Sequence, residues 1–479
     1  MQTNPDISSA FNPIDAAIDS IMKSFELPGL AVGIVRQDET VYTRGYGVKN
    51  IATRESITPS SLFHMASISK TFVCTAIMQL IEKGKISLSA SVVTYLPYFK
   101  LDDDRYTSIT IQQMLSHLSG MPDVDGYDWD KPEYDDGALE RYVRSLGHKK
   151  LIAAPGEQFS YSNMAYEVLG DVIAKVSDQT FEDYIEENIL QPLAMENSTF
   201  LKQKVSSELG TTPHLNLPQT EVSPVYPYHR AHAPSSTLHS NVLEMGHWMI
   251  AHLNHGKFMD REILRPASYE LLWHPYRQTQ ANGSDRFIGL SWFIGKYRVH
   301  QTISHAGGDI GFNTYHVLLP EQSLGVVVLA NTIPTPVEEI THVILDLILG
   351  FEPELPKPPV IAPLFRVLEE RGQEAAIALY HELQHNQSEA YDINLQHFTD
   401  AGYLLMEMKR YSQALKILTL GKGIYPDADA LYAALAWVNV KNGDRKQALE
   451  NIQQCLVLNP ENRTAKNLLN DLKEEKLAV

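Results

Sequence analysis

Residues 63–84 read FHMASISKTFVCTAIMQLIEKG, a stretch that joins a serine–lysine pair to an apolar helix. From Ser67 to about Glu82 the apolar residues follow a helical period and polar residues are few, so we expect a buried helix. Ser67 and Lys70 are three residues apart, which puts both side chains on one face of that helix. Burial lowers the pKa of a lysine, and a lysine so placed can take a proton from the serine hydroxyl. The serine lies at the helix N-terminus, where free amides and the helix dipole favour negative charge.

The Ser-x-x-Lys pattern is short, and chance alone produces it. Roughly one or two matches are expected in a chain of this length. A second match does occur, from Ser20 to Lys23. Taken alone, the pattern at Ser67 fits a polar first turn of a core helix as well as it fits a nucleophile.

A second candidate is Tyr161-Ser162-Asn163, the only Tyr-x-Asn triplet in the chain. It precedes an apolar helix predicted over 165–176, so it lies in a loop where that helix starts. A phenol near a lysine ammonium has a lowered pKa and can serve as a base. The alternative is a capping turn in which Asn163 is the N-cap of the helix.

A third candidate is the segment HAGG at residues 305–308, which follows a strand predicted over 298–304. It contains the only Lys-x-Gly or His-x-Gly triplet before residue 352. Paired glycines let a substrate lie against a strand edge, and their amides are free to donate hydrogen bonds. The alternative is an ordinary glycine-rich turn with a surface histidine.

Together and in this order, the three patterns resemble the serine β-lactamase and penicillin-binding-protein superfamily, in the class C-like branch that has Tyr-x-Asn as its second element. MLSHLSGMP (114–122), PGEQFSYSN (155–163) and LPEQSLGVVVLANT (319–332) are also similar to segments of that family. The resemblance covers about residues 10–350. The branch includes D-peptidases and carboxylesterases, so the resemblance implies a serine hydrolase.

The resemblance implies a catalytic role for three residues. Ser67 is the nucleophile that becomes acylated, and Lys70 and Tyr161 transfer its proton. The expected reaction is hydrolysis of an ester or amide through an acyl-enzyme, as in a carboxylesterase or a peptidase that acts on D-amino acids. The expected substrate is therefore a small ester, an amide or a short D-amino-acid peptide.

The resemblance also implies how a substrate is held. The backbone amides of Ser67 and Gly308 form the oxyanion hole, an arrangement that suits acyl transfer. Asn163 orients the substrate or the catalytic lysine. His305, with Gly307 two residues later, occupies the position of the lysine in the third motif.

The third motif departs from the β-lactamase pattern at two adjacent positions. His305 and Ala306 stand where β-lactamases have a lysine and a threonine or serine. A histidine with an unperturbed pKa near 6.5 is mostly neutral at pH 7.5, and alanine has no hydroxyl. We therefore expect weak or no β-lactamase activity, with anionic substrates bound better as the pH falls toward 6. His-x-Gly occurs in some D-peptidases and D-aminopeptidases of the family, so the departure is compatible with hydrolysis.

The predicted strands lie at both ends of the first 350 residues, with helices between them. Such an order favours an α/β fold in which one antiparallel sheet is assembled from both ends, is flanked by helices and faces a helical lobe across a cleft. The strands are predicted at 30–35 and 40–45, as a hairpin, and at 287–293, 298–304, 313–319 and 325–330, with an apolar helix at 337–349.

A proline cluster interrupts the chain after this region. Residues 353–363, PELPKPPVIAP, hold five prolines and predict a semi-rigid linker. We place a β-lactamase-related hydrolase domain at 1–352 and an all-α domain at 364–479.

The all-α domain contains a repeat with a period of 34 residues. An aromatic residue, a small residue, an alanine and a proline recur in a pattern that resembles the tetratricopeptide repeat, in which small residues let two antiparallel helices approach closely. The matched pairs are Phe398 and Tyr432, Gly402 and Ala436, Ala414 and Ala448, and Pro426 and Pro460. The segment 372–383 suggests a degenerate earlier helix pair.

Composition excludes several classes of function. Lys plus Arg is 40 and Asp plus Glu is 58, so the net charge of 40 − 58 = −18 disfavours nucleic acid and anionic membranes as partners. Two cysteines, Cys74 and Cys455, are too few for a disulfide framework or a zinc site, and we expect two buried free thiols. We predict no cofactor and no metal. His229 and His232, which flank Arg230, and the acidic loop at 123–130 are predicted to be solvated, the loop as a rim of the cleft.

The first residues, MQTNPDISSAFNPID, have neither a basic segment nor an apolar run, and no stretch of the chain approaches 18 apolar residues. We therefore expect a cytoplasmic protein. A rival function is a receptor or sensor of the penicillin-binding type, in which the cleft binds a ligand or is slowly acylated and the repeat domain recruits a partner.

Two repeats are fewer than the roughly three needed for an independent solenoid. We therefore expect the helical domain to pack on the hydrolase domain or to mediate dimer or protein contact. Residues 364–479 expressed alone should be poorly folded, as circular dichroism and thermal melting would report. A monomeric, cooperatively folded fragment, together with an undiminished melting temperature for residues 1–350, would contradict this expectation.

Overall fold

The computed structural model describes residues 7–124, 126–279, 285–386 and 390–473. The chain forms two compact units. The first consists of residues 1–215 and 221–356, and the second of residues 216–220 and 357–479. The division between Pro356 and Lys357 falls within the proline cluster, whereas nothing in the sequence marks 216–220 as part of the second unit.

Helices are spread through both units. Those of the first unit are α1 (Phe11–Ser24), α2 (Ser69–Glu82), α3 (Ile111–Leu115), α4 (Ala138–Ser145), α5 (Asn163–Ser177), α6 (Phe181–Ile185), α7 (Ala233–Ser236), α8 (Val242–Leu253), α9 (Pro266–Leu272) and α10 (Val337–Leu349). Those of the second are α11 (Ile361–Arg371), α12 (Gln373–Asn386), α13 (Gln396–Glu407), α14 (Tyr411–Ile424), α15 (Asp429–Lys441), α16 (Arg445–Leu458) and α17 (Arg463–Lys473).

The strands, in chain order, are β1 (Gly29–Arg36), β2 (Glu39–Gly47), β3 (Phe63–His64), β4 (His214–Asn216), β5 (Thr220–Val222), β6 (His239–Ser240), β7 (Lys257–Phe258), β8 (Arg261–Glu262), β9 (Arg277–Gln278), β10 (Phe287–Ile288), β11 (Phe293–Tyr297), β12 (His300–Asp309), β13 (Phe312–Leu319), β14 (Leu324–Ala330) and β15 (Thr332–Ile333).

The main sheet has eight strands in the order β2-β1-β14-β13-β12-β11-β10-β9. Every neighbouring pair in it is antiparallel. β1, from the start of the chain, pairs with β14, from the end of the first unit, in a register that runs from Leu30–Ala330 to Arg36–Leu324. The predicted α/β fold class and the sheet assembled from both ends are confirmed.

Helices cover both faces of the sheet. Because side chains alternate along a strand, Leu30, Val32 and Ile34 of β1 join a core with α1 and α10 on one face. Ala31 and Val35 join a core with α2 and α8 on the other face. β1 is therefore buried on both sides, which explains its unbroken apolar sequence.

Helix α2 lies inside the first unit and begins two residues later than predicted. A 3₁₀ turn over Ala66–Ile68 precedes it, and Ser67 lies in that turn. Twelve of the fourteen residues of α2, from Ser69 to Leu80, are buried. A helix that is buried all round packs on several neighbours, and α2 contacts both α5 and α7.

The strand predicted over 298–304 is longer in the structure. β12 continues through the HAGG segment to Asp309, because residues 303–309 pair with residues 312–318 of β13. The predicted end of the strand at Ser304 is therefore too early, and the alternative of an ordinary glycine-rich turn is wrong. The apolar helix predicted at 337–349 is found with those bounds.

The second unit consists of helices that pair in sequence, α11 with α12, α13 with α14 and α15 with α16, followed by α17. A Cβ atom at Gly402 would overlap Leu418, so the small residue lets α13 and α14 approach closely. α11 and α12 meet at Gly372, close to the earlier pair suggested by the sequence. α11 begins at Ile361, so the last residues of the predicted linker are helical, and Pro363 lies in the first turn, where a missing amide costs little.

Both cysteines are buried free thiols, as predicted. Among the helices of the described residues, none has the length and apolar character needed to cross a membrane.

The aromatic stack between Phe72 of α2 and Trp248 of α8 yields a test of this packing. Their ring centroids are 3.7 Å apart and nearly parallel, and both side chains are fully buried. We expect Phe72→Ala to lower the free energy of unfolding by about 3–5 kcal/mol, because a cavity is left in the core. Urea unfolding followed by tryptophan fluorescence would measure it. Phe351→Ala, at a side chain that is 42% exposed, is the matched control and should change stability by less than about 1 kcal/mol.

Candidate active site

Ser67 is presented on a constrained turn between β3 and α2. Ala66, before it, has a backbone φ of 48°, in the left-handed region that disfavours residues with a side chain. Met65 fixes the turn from both sides. Its amide donates to the Leu238 carbonyl at 2.7 Å, and its carbonyl accepts from the Thr314 hydroxyl at 2.9 Å. The Ser67 side chain itself is partly exposed.

Gly307 of β12 packs directly against this turn. A Cβ atom at Gly307 would overlap the Met65 carbonyl oxygen and crowd Ala66. The predicted substrate-binding glycine therefore has a second function: its missing side chain lets the nucleophile turn lie against the strand.

Lys70 is fully buried one helical turn after Ser67. Its Nζ atom donates to Ser67 Oγ at 2.9 Å and to the Ser235 carbonyl at 2.7 Å. Burial lowers the pKa of Lys70 to about 8, because the charged ammonium loses its hydration. The serine–lysine pair predicted from spacing is therefore a real contact, with a lysine that is partly neutral near pH 7.

Three carboxylates oppose this lowering of the lysine pKa. Glu167, Asp123 and Asp309 each raise the pKa of Lys70 through their negative charge, Glu167 most strongly. Glu167 is fully buried on α5, where its Oε1 accepts from Ser235 Oγ at 2.5 Å and from His232 Nδ1 at 3.1 Å. Ser235 therefore joins two charges, since its carbonyl binds the lysine and its hydroxyl binds the glutamate.

Tyr161 lies beside the pair. Lys70 Nζ is 5.2 Å from the centroid of the tyrosine ring, and the Ser67 hydroxyl is near enough to act on the pKa of the phenol, which it lowers. Although part of the side chain remains open to solvent, the surrounding protein raises the pKa of Tyr161 well above its usual value, and the three nearby carboxylates add to this. The phenol therefore stays protonated at neutral pH. Of the two predicted proton-transfer residues, Lys70 is the one whose pKa suits a base.

His117 supports the ring of Tyr161 from behind. The two rings stack with centroids 4.1 Å apart, and His117 Nδ1 accepts from the Ser162 amide at 3.1 Å. Burial, reinforced by the charge of Lys70, holds the pKa of His117 well below 6.5. A neutral imidazole therefore fixes the Tyr-x-Asn turn.

Asn163 is oriented by a carboxylate. Its Nδ2 donates to both oxygens of Asp123, at 3.1 and 3.2 Å, and its backbone amide donates to Asp123 Oδ1 at 2.8 Å. The N-cap of α5 is Ser162, whose Oγ accepts from the Ala165 amide, and not Asn163. Direct orientation of Lys70 by Asn163 stays a prediction.

His305 is almost fully buried, with its ring 5.4 Å from Phe293 and 6.5 Å from Tyr161. Its Nδ1 donates to the Ala306 carbonyl at 2.6 Å. Burial and the charge of Lys70 hold the pKa of His305 well below 6.5. The expectation that His305 titrates near pH 6.5 and attracts anionic substrates toward pH 6 is therefore wrong. It assumed the pKa of a solvated histidine, whereas burial lowers the pKa of His305.

Gly308 lies on an open stretch of strand. β11 pairs with β12 only as far as Phe293–Ser304, whereas β13 pairs with it to Phe312–Asp309. Within the described residues, 305–309 thus have a strand neighbour on one side only, and Ala306 and Gly308 are exposed. This leaves an open strand edge at Gly308, and the binding of a substrate there stays a prediction.

The loop containing Arg230 is not solvated, contrary to prediction. His229, Arg230 and His232 are all buried, and Arg230 pairs with Glu182 at 2.9 Å and with Asp136 at 2.5 Å.

In the acidic loop, Asp123, Asp128 and Asp130 are exposed, as predicted, and Asp125 lies outside the described residues, whereas the aromatic side chains of the loop pack together. Its Trp129 stacks on Tyr127 with ring centroids 4.6 Å apart, and both rings contact His232 edge-on.

No group of three or more metal-ligating side chains occurs among the residues that the structure describes. The segment HELQH at 381–385 nevertheless has the His-Glu-x-x-His spacing of zinc sites, which the prediction of no metal did not consider. It lies on α12, where both histidines are exposed and no third ligand is found within the described part of the second unit.

The site residues that sequence reasoning missed are those that hold or balance the predicted ones: His117, Asp123, Glu167, Ser235 and Asp309. A signal existed for two of them. Glu167 lies on the predicted helix that directly follows the Tyr-x-Asn triplet, and His117 lies in one of the segments similar to the family. Ser235 acts through its backbone carbonyl, for which side-chain chemistry has no signal.

Comparison with known proteins agrees with this geometry. A model of the family described as Beta-lactamase matches residues 14–349, more than half of the chain. Protein flp of Staphylococcus aureus (strain MW2) is 27% identical over 347 residues, which cover 70% of this chain and 66% of that protein. Unguisins hydrolase ungD' of Aspergillus campestris is 27% identical over 345 residues, covering 67% of this chain and 62% of that protein. The chain thus spans slightly less than two thirds of these relatives.

Two solved structures are similar. The octameric penicillin-binding protein homologue from Pyrococcus abyssi aligns with a TM-score of 0.64 and 27% identity, over 75% of this chain and 82% of that one. A penicillin binding protein from Bacillus halodurans aligns with a TM-score of 0.60 over 69% of this chain and 99% of that one. Its identity of 23% supports the fold alone.

The pKa of Lys70 predicts a pH profile. With a pKa of about 8, roughly one Lys70 in ten is neutral at pH 7, so kcat/KM for a neutral ester should rise almost tenfold per pH unit from 6 to about 7.5 and level off above 8. Lys70→Arg keeps the charge but cannot accept a proton, and should lower kcat/KM by about 10²- to 10⁴-fold. Initial rates from pH 5.5 to 9.5 would measure both. A profile that levels off near pH 6.5 would instead identify a histidine as the base.

Proposed function

The chain belongs to the Beta-lactamase family, and we propose that it is a serine hydrolase that cleaves an ester or amide bond through a covalent acyl-Ser67 intermediate. The observation that carries the proposal is the 2.9 Å contact between Ser67 Oγ and a fully buried Lys70 whose pKa is lowered to about 8. A hydroxyl becomes a useful nucleophile when a base of suitable pKa lies within hydrogen-bond distance.

In the acylation step, Ser67 Oγ attacks the carbonyl carbon of the substrate while its proton passes to neutral Lys70. The carbonyl oxygen becomes an oxyanion, and the amides of Ser67 and Gly308 stabilise it. When the oxyanion collapses, the bond to the leaving group breaks. The leaving group takes its proton from the Tyr161 phenol, which lies beside Lys70 and is reprotonated by the Lys70 ammonium, so that Lys70 is neutral again before deacylation.

In the deacylation step, water attacks the acyl carbon and gives its proton to Lys70. Ser67 Oγ then departs and regains its proton, which restores the free enzyme. Lys70 thus serves as the base in both the acylation and the deacylation step.

We place the activity with carboxylesterases or peptidases of D-amino acids rather than with efficient β-lactamases. In the β-lactamase pattern, the lysine of the third motif is a fixed cation that binds the substrate carboxylate. Here the corresponding His305 is buried and neutral, and Ala306 has no hydroxyl. The name of the relative from Aspergillus campestris is that of a hydrolase, which supports turnover over permanent acylation.

Labelling tests the nucleophile. Incubation with a fluorophosphonate, followed by intact mass and peptide mapping, should add one label per chain, at Ser67. Ser67→Ala should abolish the label and the hydrolysis of a p-nitrophenyl ester. Ser20→Ala removes the serine of the other Ser-x-x-Lys match, which lies on α1, and is the matched control that should leave both unchanged.

A label on any other residue would contradict the assignment. Stoichiometric labelling of Ser67 without turnover of any ester or D-amino amide would instead favour the receptor or sensor.

A further inference from the structure

We propose that Asp309 is a specificity-determining residue of this site, selecting acyl groups that carry a protonated amine over acyl groups that carry a carboxylate. The inference rests on the proposed acyl transfer at Ser67. It concerns the part of the substrate that becomes attached to the serine.

Asp309 is placed beside the reacting centre by the strand itself. It follows Gly308, whose amide is assigned to the oxyanion hole. Because side chains alternate along a strand, Asp309 lies on the same face of β12 as Gly307, the face against which the turn carrying Ser67 packs. Its side chain is 10% exposed.

Two side chains hold the Asp309 carboxylate, one shortly before Ser67 in the chain and one next to Ser235, which binds Lys70. His64, three residues before Ser67, donates through Nε2 to Asp309 Oδ2 at 2.8 Å. The Ser236 hydroxyl donates to the same oxygen, and Ser235 beside it binds Lys70. Both hydrogen bonds end on Oδ2, so within the described structure Oδ1 is left for a substrate donor.

The negative charge of the Asp309 carboxylate is not compensated by its hydrogen-bond partner His64. The buried Nδ1 of His64 has no partner among the described residues. A neutral ring that donates through Nε2 leaves Nδ1 as a lone pair, whereas a charged ring would bury an N–H without an acceptor. The neutral ring is therefore the better fit, and the charge stays on the carboxylate.

Asp123 and Tyr127 extend the same environment. The charges of Asp123 and Asp309 both act on Tyr127, so the ring lies within reach of both carboxylates. An aromatic ring near two carboxylates suits an ammonium group, which is attracted to the ring face and to the carboxylates. It repels a substrate carboxylate.

The third motif adds no cation to this environment. His305 is 1% exposed and uses Nδ1 as its donor, so its unpartnered Nε2 is an acceptor. It lies on the same strand face as Asp309, against the site. Ala306 contributes no donor. Because His305 Nε2 is buried, the motif offers a substrate carboxylate neither a cation nor a side-chain donor.

The test compares three alanine p-nitroanilides, as both enantiomers, at pH 7: one with a free amine, one N-acetylated and one N-succinylated. The α-amino group has a pKa of about 8 and is mostly protonated at this pH. For the better enantiomer, the wild type should show a ratio of kcat/KM for the free amine to kcat/KM for the succinyl substrate of at least about ten.

Asp309→Asn should lower that ratio at least about fivefold. We compare ratios of kcat/KM because a general loss of activity, including one caused by a changed pKa of Lys70, affects both substrates equally and cancels. Asp128→Asn is the matched control. Asp128 is exposed, its φ of 49° suits asparagine, and its charge does not act on Lys70 or Tyr161, so the ratio should stay within twofold of wild type.

A wild-type ratio below about ten, or an Asp309→Asn ratio within twofold of wild type, overturns the role of Asp309. If Asp309→Asn does not fold, the wild-type ratio decides by itself, and Asp309→Glu, which keeps the charge, should retain the preference. Fluorophosphonate labelling of Ser67 with turnover but without charge preference overturns this inference alone. Absence of labelling and of all hydrolysis overturns the proposed function with it.

Discussion

Burial of the Lys70 amine against Ser67 is the constraint around which the first unit is organised. A buried ammonium is costly unless it is paired and hydrogen-bonded, and here it has two short hydrogen bonds, to Ser67 Oγ and the Ser235 carbonyl. The need to enclose it explains why α2 is buried all round and why α5 and α7 pack on it. It also explains the full burial of Glu167, which would have no reason to lie in a core without a positive partner.

The contact between Ser67 and Lys70 could be predicted from the sequence because it is made at short range along the chain. Ser67 and Lys70 are three residues apart, and HAGG is a continuous segment, so spacing alone places their members together. The strands were predictable for a similar reason, since short continuous apolar runs such as those of β1 and β14 indicate strands that are buried on both faces. Both kinds of signal are local.

What the sequence did not reveal depends on contacts between distant segments. The carbonyl of Ser235 lies 165 residues from Lys70, and the partner of Asn163 is 40 residues away. Arg230 looked solvated because Glu182 and Asp136, which neutralise it, are far along the chain. The strand was predicted to end before HAGG because glycines disfavour strands, but pairing with β13 outweighs that preference. Pro363 looked like part of a linker, although proline is tolerated in the first turn of a helix.

The carboxylates near the site connect base strength to charge selection. Burial alone would lower the pKa of Lys70 further and leave a weaker base, while Glu167, Asp123 and Asp309 raise it again, so the value of about 8 is a balance of the two. The lysine of the usual third motif would add a cation beside this balance and lower the pKa of Lys70 once more. A buried neutral His305 adds none. The exchange of lysine for histidine and the presence of three carboxylates are therefore parts of one electrostatic arrangement, in which a basic Lys70 is retained and the cleft keeps a net negative charge.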